Sequence, residues 1–354
     1  MAARVGTRLE DPVTEAVLGG ATDNKDRLLP LAFGECHNVS PLLTVPSTLT
    51  YQYHNGAAER LIEVRDNGSP IATYTSNLAA GTFTLTAAPV GQITADVQGA
   101  KPSGTYRNDV GRLVQYIVQT YGPSTTRFSG GDLDSTQLAS FVTACPQPVG
   151  LCLTDRANVL QVCQELAASV GAQVVVTTLG KLRLVQLALP ASGTPTAVTA
   201  QDFDEHSLKV VERPPVKATA KLGYGRNWSV QTSGLATGLP ASSAEALGVD
   251  LLPVASTDAT TASVYKLGSQ PEQEDTLLVV ESDATTEAAR RRDLWKTPRQ
   301  VYEARYRAHL LLTELGDALT ITHSRFGLSG GVTGLVVRVS RDWLAGRVTI
   351  GVLA

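Results

Sequence analysis

The chain has no stretch near the roughly 20 consecutive apolar residues that a membrane-spanning helix needs. Its first residues, MAARVGTRLEDP, also lack the continuous apolar core of a signal peptide. A protein made and kept soluble in a cytoplasm is therefore the expectation, with no membrane span. Basic charge is scarce as well: 30 Lys and Arg stand against 33 Asp and Glu, for a net charge of -3. No broad positive field is available to hold a phosphate backbone by counterion release, so specific nucleic-acid binding is not expected. Aromatic residues make up only 5%, few for a surface that stacks on sugars.

Cysteine is sparse too, with four in 354 residues, too few for a disulfide scaffold in a chain this long. Cys145 and Cys152 flank a Pro-containing loop, CPQPVGLC, while Cys163 lies among Val159, Val162, Leu166, Ala167 and Val170 at core spacing. Buried free thiols are the expectation. The alternative, a four-thiolate iron-sulfur or zinc site, finds no compact CxxC pair and needs Cys36 to return across the chain. No metal and no cofactor are expected.

Catalytic spacings are missing in the same way. The five histidines, His37, His54, His206, His309 and His323, form no H-x-x-x-H or H-E-x-x-H pattern. Gly327-Leu328-Ser329-Gly330-Gly331 matches G-x-S-x-G, but the residues after it read as strand and no histidine follows Ser329. A Gly-rich hairpin connection is the expected role. Gly223-x-Gly225 lacks the third glycine of a dinucleotide fingerprint, and Asp23-Asn24-Lys25-Asp26 lacks the glycine and the terminal glutamate of a calcium loop. Asp202 and Asp204 suit a surface turn better than general acid and base work. Arg290-Arg291-Arg292 reads as a solvated helix face, with a grip on an acidic partner as the alternative. No catalytic, cofactor-binding or metal-binding residue is assigned, and the chain is not expected to be an enzyme. Two rival readings remain. One is a hydrolase acting on cell wall or ester, which Ser329→Ala and His323→Ala would test. The other is a carbohydrate-binding adhesin using exposed Tyr51, Tyr53 and Trp228.

What the sequence does have is two-residue alternation. Tyr302, Ala304, Tyr306, Ala308 and Leu310 fall on one face of Gln300 to Leu310, and Glu303, Arg305, Arg307 and His309 on the other. Val348, Ile350 and Val352 repeat the period, and Leu335 to Val339 reads as a more continuously apolar strand. A polar N-terminal arm is expected over 1–29 and a small β-domain of five or more strands over 30–105. In that β-domain Asn55-Gly56 signals a hairpin, and Asp66-Asn67-Gly68 a second turn. An α+β domain is expected over 106–195. It has a helix capped by Asn108, a second from Asp134 to Ala144, a third from Thr154 or Asp155 to Gly171, and a hairpin around Gly180-Lys181. After the Ala191 to Pro195 linker, 196–354 is expected as a β-barrel-like domain with one helix, about 283–295. Within it, Thr232 to Thr261 is expected as a long loop. The fold class is thus α+β, mainly β, with small β-barrel or sandwich domains and an α+β domain between them.

Several stretches together carry a resemblance. They are LPLAFGECHNVSPLL, VRDNGSPI with GTFTLTAAPVGQITADVQG, LGYGRNW, EAARRRDLW and LGDALTITHSRFGL with the closing strands. In this order, over residues 30 to 354, the sequence resembles the baseplate hub, or tail-tip hub, proteins of long-tailed, siphovirus-type bacteriophages. The resemblance implies a structural, homotrimeric ring that closes the tail tube. It would contact the distal tail protein, the tape-measure protein and a central fibre or spike, in the virion tail tip after assembly in the host cytoplasm. Some relatives hold an iron-sulfur cluster, but no residue here is matched to such a site.

Overall fold

The computed structural model describes residues 24, 27–122, 127–189, 194–268 and 271–354. The expected arm over 1–29, the Asp23 to Asp26 segment and the Ala191 to Pro195 linker lie largely outside them. The chain divides into two compact units, Met1–Val170 with Leu222–Val254 and Gln273–Thr285, and Gly171–Lys221 with Ala255–Glu272 and Thr286–Ala354. The chain is mainly β, with helices between its sheets.

The first unit holds strands β1 (Leu31–Val39), β2 (Leu42–Val45), β3 (Thr50–Gln52), β4 (Ala58–Asp66), β5 (Ser69–Pro70), β6 (Tyr74–Asn77), β7 (Thr82–Leu85), β8 (Ile93–Ala100) and β9 (Gly150–Leu153). They form two antiparallel sheets, ordered β5-β4-β8-β1-β9 and β2-β3-β7-β6. The alternation that marked these segments becomes a sandwich-like core: Ala32, Cys36, Val64, Ala95 and Val97 come from the first sheet, Tyr51, Phe83 and Leu85 from the second. Tyr51 and Phe83 stack, with centroids 5.5 Å apart. The expected Asn55-Gly56 hairpin does not form. Strand β3 pairs with β2 and β7, and the chain after Gly56 enters β4 in the other sheet. Asp66-Asn67-Gly68 does turn, joining β4 to β5 with Asn67 and Gly68 at φ 49° and 79°. Three helices follow, α1 (Val110–Thr120), α2 (Ser135–Ala144) and α3 (Val159–Ser169). Helix α1 is capped one residue later than expected, by the Asp109 carboxylate accepting from Arg112 N–H at 2.9 Å. Helix α3 starts later than expected, capped by Asn158.

His54 sits buried at the end of this core, its Nδ1 accepting the Ala32 N–H at 3.1 Å. Burial pushes its pKa down from 6.5 to about 4. A folded value below the unfolded one means that the stabilisation is present above about pH 6.5 and is lost as pH falls toward 4. At about 1.4 kcal/mol per pKa unit the loss comes to about 3 kcal/mol. The pKa of His37 is raised, so it titrates with the opposite sign, and the effect is read as the difference between wild type and His54→Gln. Chemical denaturation from pH 7 to pH 4 should show the wild type losing this increment and the variant not. Parallel curves for the two proteins would refute it.

In the second unit β10 (Ala172–Val176) and β11 (Leu182–Gln186) form the expected hairpin. Strands β12 (Thr196–Val198) and β13 (Lys209–Glu212) are the two edges of the largest sheet. A separate three-stranded sheet, in the order β15-β14-β16, is made by β14 (Thr219–Tyr224), β15 (Leu252–Thr257) and β16 (Gln273–Asp275), whose residues are divided between the two units. The large sheet then runs β12-β18-β19-β20-β17-β13, using β17 (Val301–Arg307), β18 (Ala318–Ile321), β19 (Val332–Asp342) and β20 (Arg347–Leu353). Its edge strands do not pair with each other among the described residues, so it is an open sheet and not a closed barrel. Tyr302, Ala304, Tyr306, Val348, Ile350 and Val352 are all buried in its core, as their alternation requires. The alternation of 300–310 stops being strand at Arg307, and Ala308–Leu310 turns as a 3-10 helix that still buries Leu310.

The stretch from Thr232 to Thr261 is not a structureless loop. It contains the helix α4 (Ala241–Leu247), the whole of β15 and the start of α5 (Ala259–Tyr265). Helix α6 (Glu281–Trp295) covers the expected 283–295 and carries the arginine triplet. The triplet is not the solvated face expected. Both guanidinium groups of Arg290 and Arg291 bond the nearly buried Glu287, Arg290 Nη1 donates to Leu187 O at 2.7 Å, and Arg292 bonds Asp293 and Ser256.

Candidate functional site

The first unit's larger sheet is irregular at one level. Strand β8 keeps its run through Asp96, while β4 bulges between Leu61 and Glu63 and β1 bulges between Cys36 and Val39. A bulge frees ladder groups and re-aims side chains. Here the bulges bring Glu63 directly opposite Asp96 and put Asn38 at φ 53°. Two carboxylates facing each other across a ladder repel, and Arg65 resolves this. It bonds Asp96 in fork geometry, Nη1 to Oδ1 at 2.7 Å and Nη2 to Oδ2 at 2.5 Å, with Glu63 Oε2 also 2.5 Å from Nη2. Asp96 Oδ1 further accepts the Asn38 N–H at 2.7 Å.

His37 stands beside this cluster, Nδ1 3.9 Å from Asp96 Oδ2 and Nε2 3.7 Å from Glu35 Oε1. Asp96, and then Glu35, push its pKa up. Burial works against the charged form of Asp96, but His37, Arg65 and the Asn38 N–H together hold its carboxyl far below the usual carboxylate range.

The segment that follows β14 folds back over this level. Gly225 N–H bonds Leu278 O, Trp228 N–H bonds His37 O at 3.1 Å, and Ala236 N–H bonds Asn67 O at 2.8 Å. Asn38 and Asn227 join the layers: Asn38 Nδ2 donates to Asn227 Oδ1 at 2.9 Å and to Ser229 O at 2.5 Å, and Asn227 Nδ2 donates to Leu247 O and Val249 O. Between the bulged sheet and α4 lies a cavity of about 520 Å³, a size usual for ligand sites. His37, Asn38, Glu63, Arg65 and Asp96 line one side, and Leu239, Pro240, Leu247, Val249 and Leu252 the other.

Among solved structures, the chain shares its fold with a component of a gene transfer agent virion. The match to a chain in the native gene transfer agent particle has a TM-score of 0.55 at 12% identity, covering 93% of this chain and 84% of that one. A 43 kDa tail protein of prophage MuSo2 from Shewanella oneidensis aligns over 98% of both chains at 13% identity with a TM-score of 0.34. A tail protein from Neisseria meningitidis MC58 aligns over 98% of this chain and 96% of that one at 9% identity, with a TM-score of 0.36. At those scores the fold argument rests on the first. No family model matches the sequence, and no curated protein matches it.

The residues weighed for chemistry from sequence take other places. Ser329 lies in the connection from β18 to β19, which buries Leu328, while His323 Nδ1 accepts the Arg325 N–H at 3.0 Å. Gly327 to Gly331 is therefore a hairpin connection, as expected. Asp202 accepts from Thr199 N and Oγ1 and pairs with His309, and Asp204 pairs with Arg347. Tyr51 and Tyr53 are buried, so they offer no sugar-stacking face, and the Trp228 ring is covered by Arg226, 4.9 Å from its centroid. All four cysteines are buried free thiols; burial pushes Cys152 and Cys163 up to about 12. Among the described residues no three His, Cys, Asp or Glu side chains gather as a metal site, and no helix is long and apolar enough to cross a membrane. Sequence reasoning did not single out Asn38, Glu63, Arg65 or Asp96, whose juxtaposition depends on the two bulges.

Proposed function

We propose that this chain is a structural component of a phage-type tail, assembling as a homotrimeric hub ring at the tail tip. In this role it closes the tube, meets the distal tail and tape-measure proteins, and carries a central fibre or spike. It acts by pairing surfaces and not by turnover. The observation that carries the reading is the fold shared with a gene transfer agent virion chain across 93% of the length. Surface chemistry supports association. The edge strands β6 and β12 leave ladder groups open, and the β19–β20 hairpin presents Trp343 and a fully exposed Leu344. Leu312 is exposed on the loop that Arg341 binds through Leu311 O and Thr313 O. Large apolar side chains at a hairpin tip suit a protein that is completed by a neighbour.

Light scattering of the full chain, alone and mixed with its neighbouring tail proteins, tests the assignment. The expected result is a trimer, or a trimer on mixing, with Trp343→Ala plus Leu344→Ser shifting the mass toward monomer. A chain that stays monomeric in every mixture overturns it, as does hydrolytic turnover of cell wall or ester by the purified protein.

A further inference from the structure

The cavity above the bulged sheet is unbalanced in charge and in hydrogen-bonding capacity. Two carboxylates of the lining, Glu63 and Asp96, share one guanidinium, Arg65, and one imidazole, His37. Glu35, outside the lining, stands 3.7 Å from His37 Nε2 and gives the five-group cluster one more negative than positive charge even with His37 protonated. Arg65 spends its fork on Asp96 and Glu63, whereas Glu63 keeps a side chain 38% exposed in the cavity wall. Asn38, only 2% exposed, also lines the cavity. Both of its Nδ2 bonds are made, but its Oδ1 has no partner. A buried acceptor left unpaired destabilises the fold, a loss that a donor-bearing ligand would recover. The rest of the lining is mostly aliphatic, with Leu239, Pro240, Leu247, Val249 and Leu252 beside Ser243 and Tyr224. Acceptors and surplus negative charge on one side, with aliphatic surface on the other, fit a cation at the end of a hydrocarbon stem.

We propose that this cavity receives an arginine or lysine side chain from a neighbouring protein chain, its stem against the leucine wall and its charged head at Glu63. The proposal does not rest on the tail assignment, since it is read on the full chain alone; loss of ring assembly would leave it standing. Calorimetry at low salt with N-acetyl-arginine methylamide, its lysine counterpart and the neutral citrulline analogue tests it. Saturable binding of at least one cation, with citrulline at least tenfold weaker, is expected. Glu63→Gln should weaken the cation at least tenfold, and Ser243→Trp, placed on the cavity lining, should abolish binding while circular dichroism stays unchanged. Absence of saturable binding, equal binding of citrulline, or an unaltered affinity in Glu63→Gln overturns the proposal. Putrescine binding more tightly than either amino-acid derivative would assign the site to a free diamine and overturn the side-chain source.

Discussion

Gly34→Ala is expected to destabilise the first unit by on the order of 4 kcal/mol, measured as a drop in its denaturation midpoint and in amide protection along β1 and β8. Two penalties add. Gly34 sits at φ +68°, in the left-handed region that costs an L-residue about 1–2 kcal/mol. A Cβ there would also stand 1.8 Å from Val149 O, and the resulting overpacking adds about 1–3 kcal/mol. Its ladder partner is Gly150, whose own Cβ would lie 1.7 Å from Glu35 O, so the two strands approach where neither has a side chain. Gly150→Ala carries only the close-approach part and should lose about 1–3 kcal/mol. Gly104 separates the two penalties, being at φ +77° with nothing within 4 Å of where a Cβ would stand. Gly104→Ala should therefore lose only about 1–2 kcal/mol. If Gly34→Ala costs no more than Gly104→Ala, the close pairing of β1 with β9 is wrong.

That glycine pair marks where sequence reasoning stopped. Alternation is a local property, so it located β17 and β20, and the faces of α1 and α3 that pack inward, without knowledge of any partner. Turn chemistry was legible where the turn closes on its own neighbours, as at Asp66-Asn67-Gly68. It misled at Asn55-Gly56, because β3 pairs with the strand before it, β2, and with β7 farther along, and not with the strand that follows Gly56. Arg290 to Arg292 read as solvent-facing charge because helical period alone cannot show that Glu287, three and four residues back, is nearly buried beside them. The cavity was the least legible part. His37, Glu63 and Asp96 are far apart in sequence and lie on three strands. They converge because two bulges on β1 and β4 fall at the level of Asp96, and a one-residue insertion in a ladder leaves no mark on composition or period. Nor did the mainly β reading, itself correct, decide between barrel and sandwich. That depends on whether β12 meets β13, and the sheet leaves both as edges.

The second large effect is expected at Glu287. Its side chain is 6% exposed and receives Arg290 through Nε and Nη2 and Arg291 through Nε, each at 2.7 Å. Arg291 is 14% exposed and Arg290 27%, so removing the carboxylate takes away the anion that two guanidinium groups share in a site with little water. Breaking a buried ion pair from one side costs about 3–5 kcal/mol, and Glu287→Ala should lose that much from the second unit. The loss comes from uncompensated charge and not from the worth of the ion pair itself. Removing the charges together should therefore be far milder. A Glu287→Met, Arg291→Met double variant should recover more than half of the loss, and a double-mutant cycle should show a coupling of about 1–3 kcal/mol. Addition of about 0.5 M salt should change the wild-type value little, because the pair is shielded from bulk ions. Independent, additive losses for the two positions, or a Glu287→Ala protein as stable as wild type, would show that helix α6 is held by its apolar packing at Ala284, Ala288 and Leu294 alone.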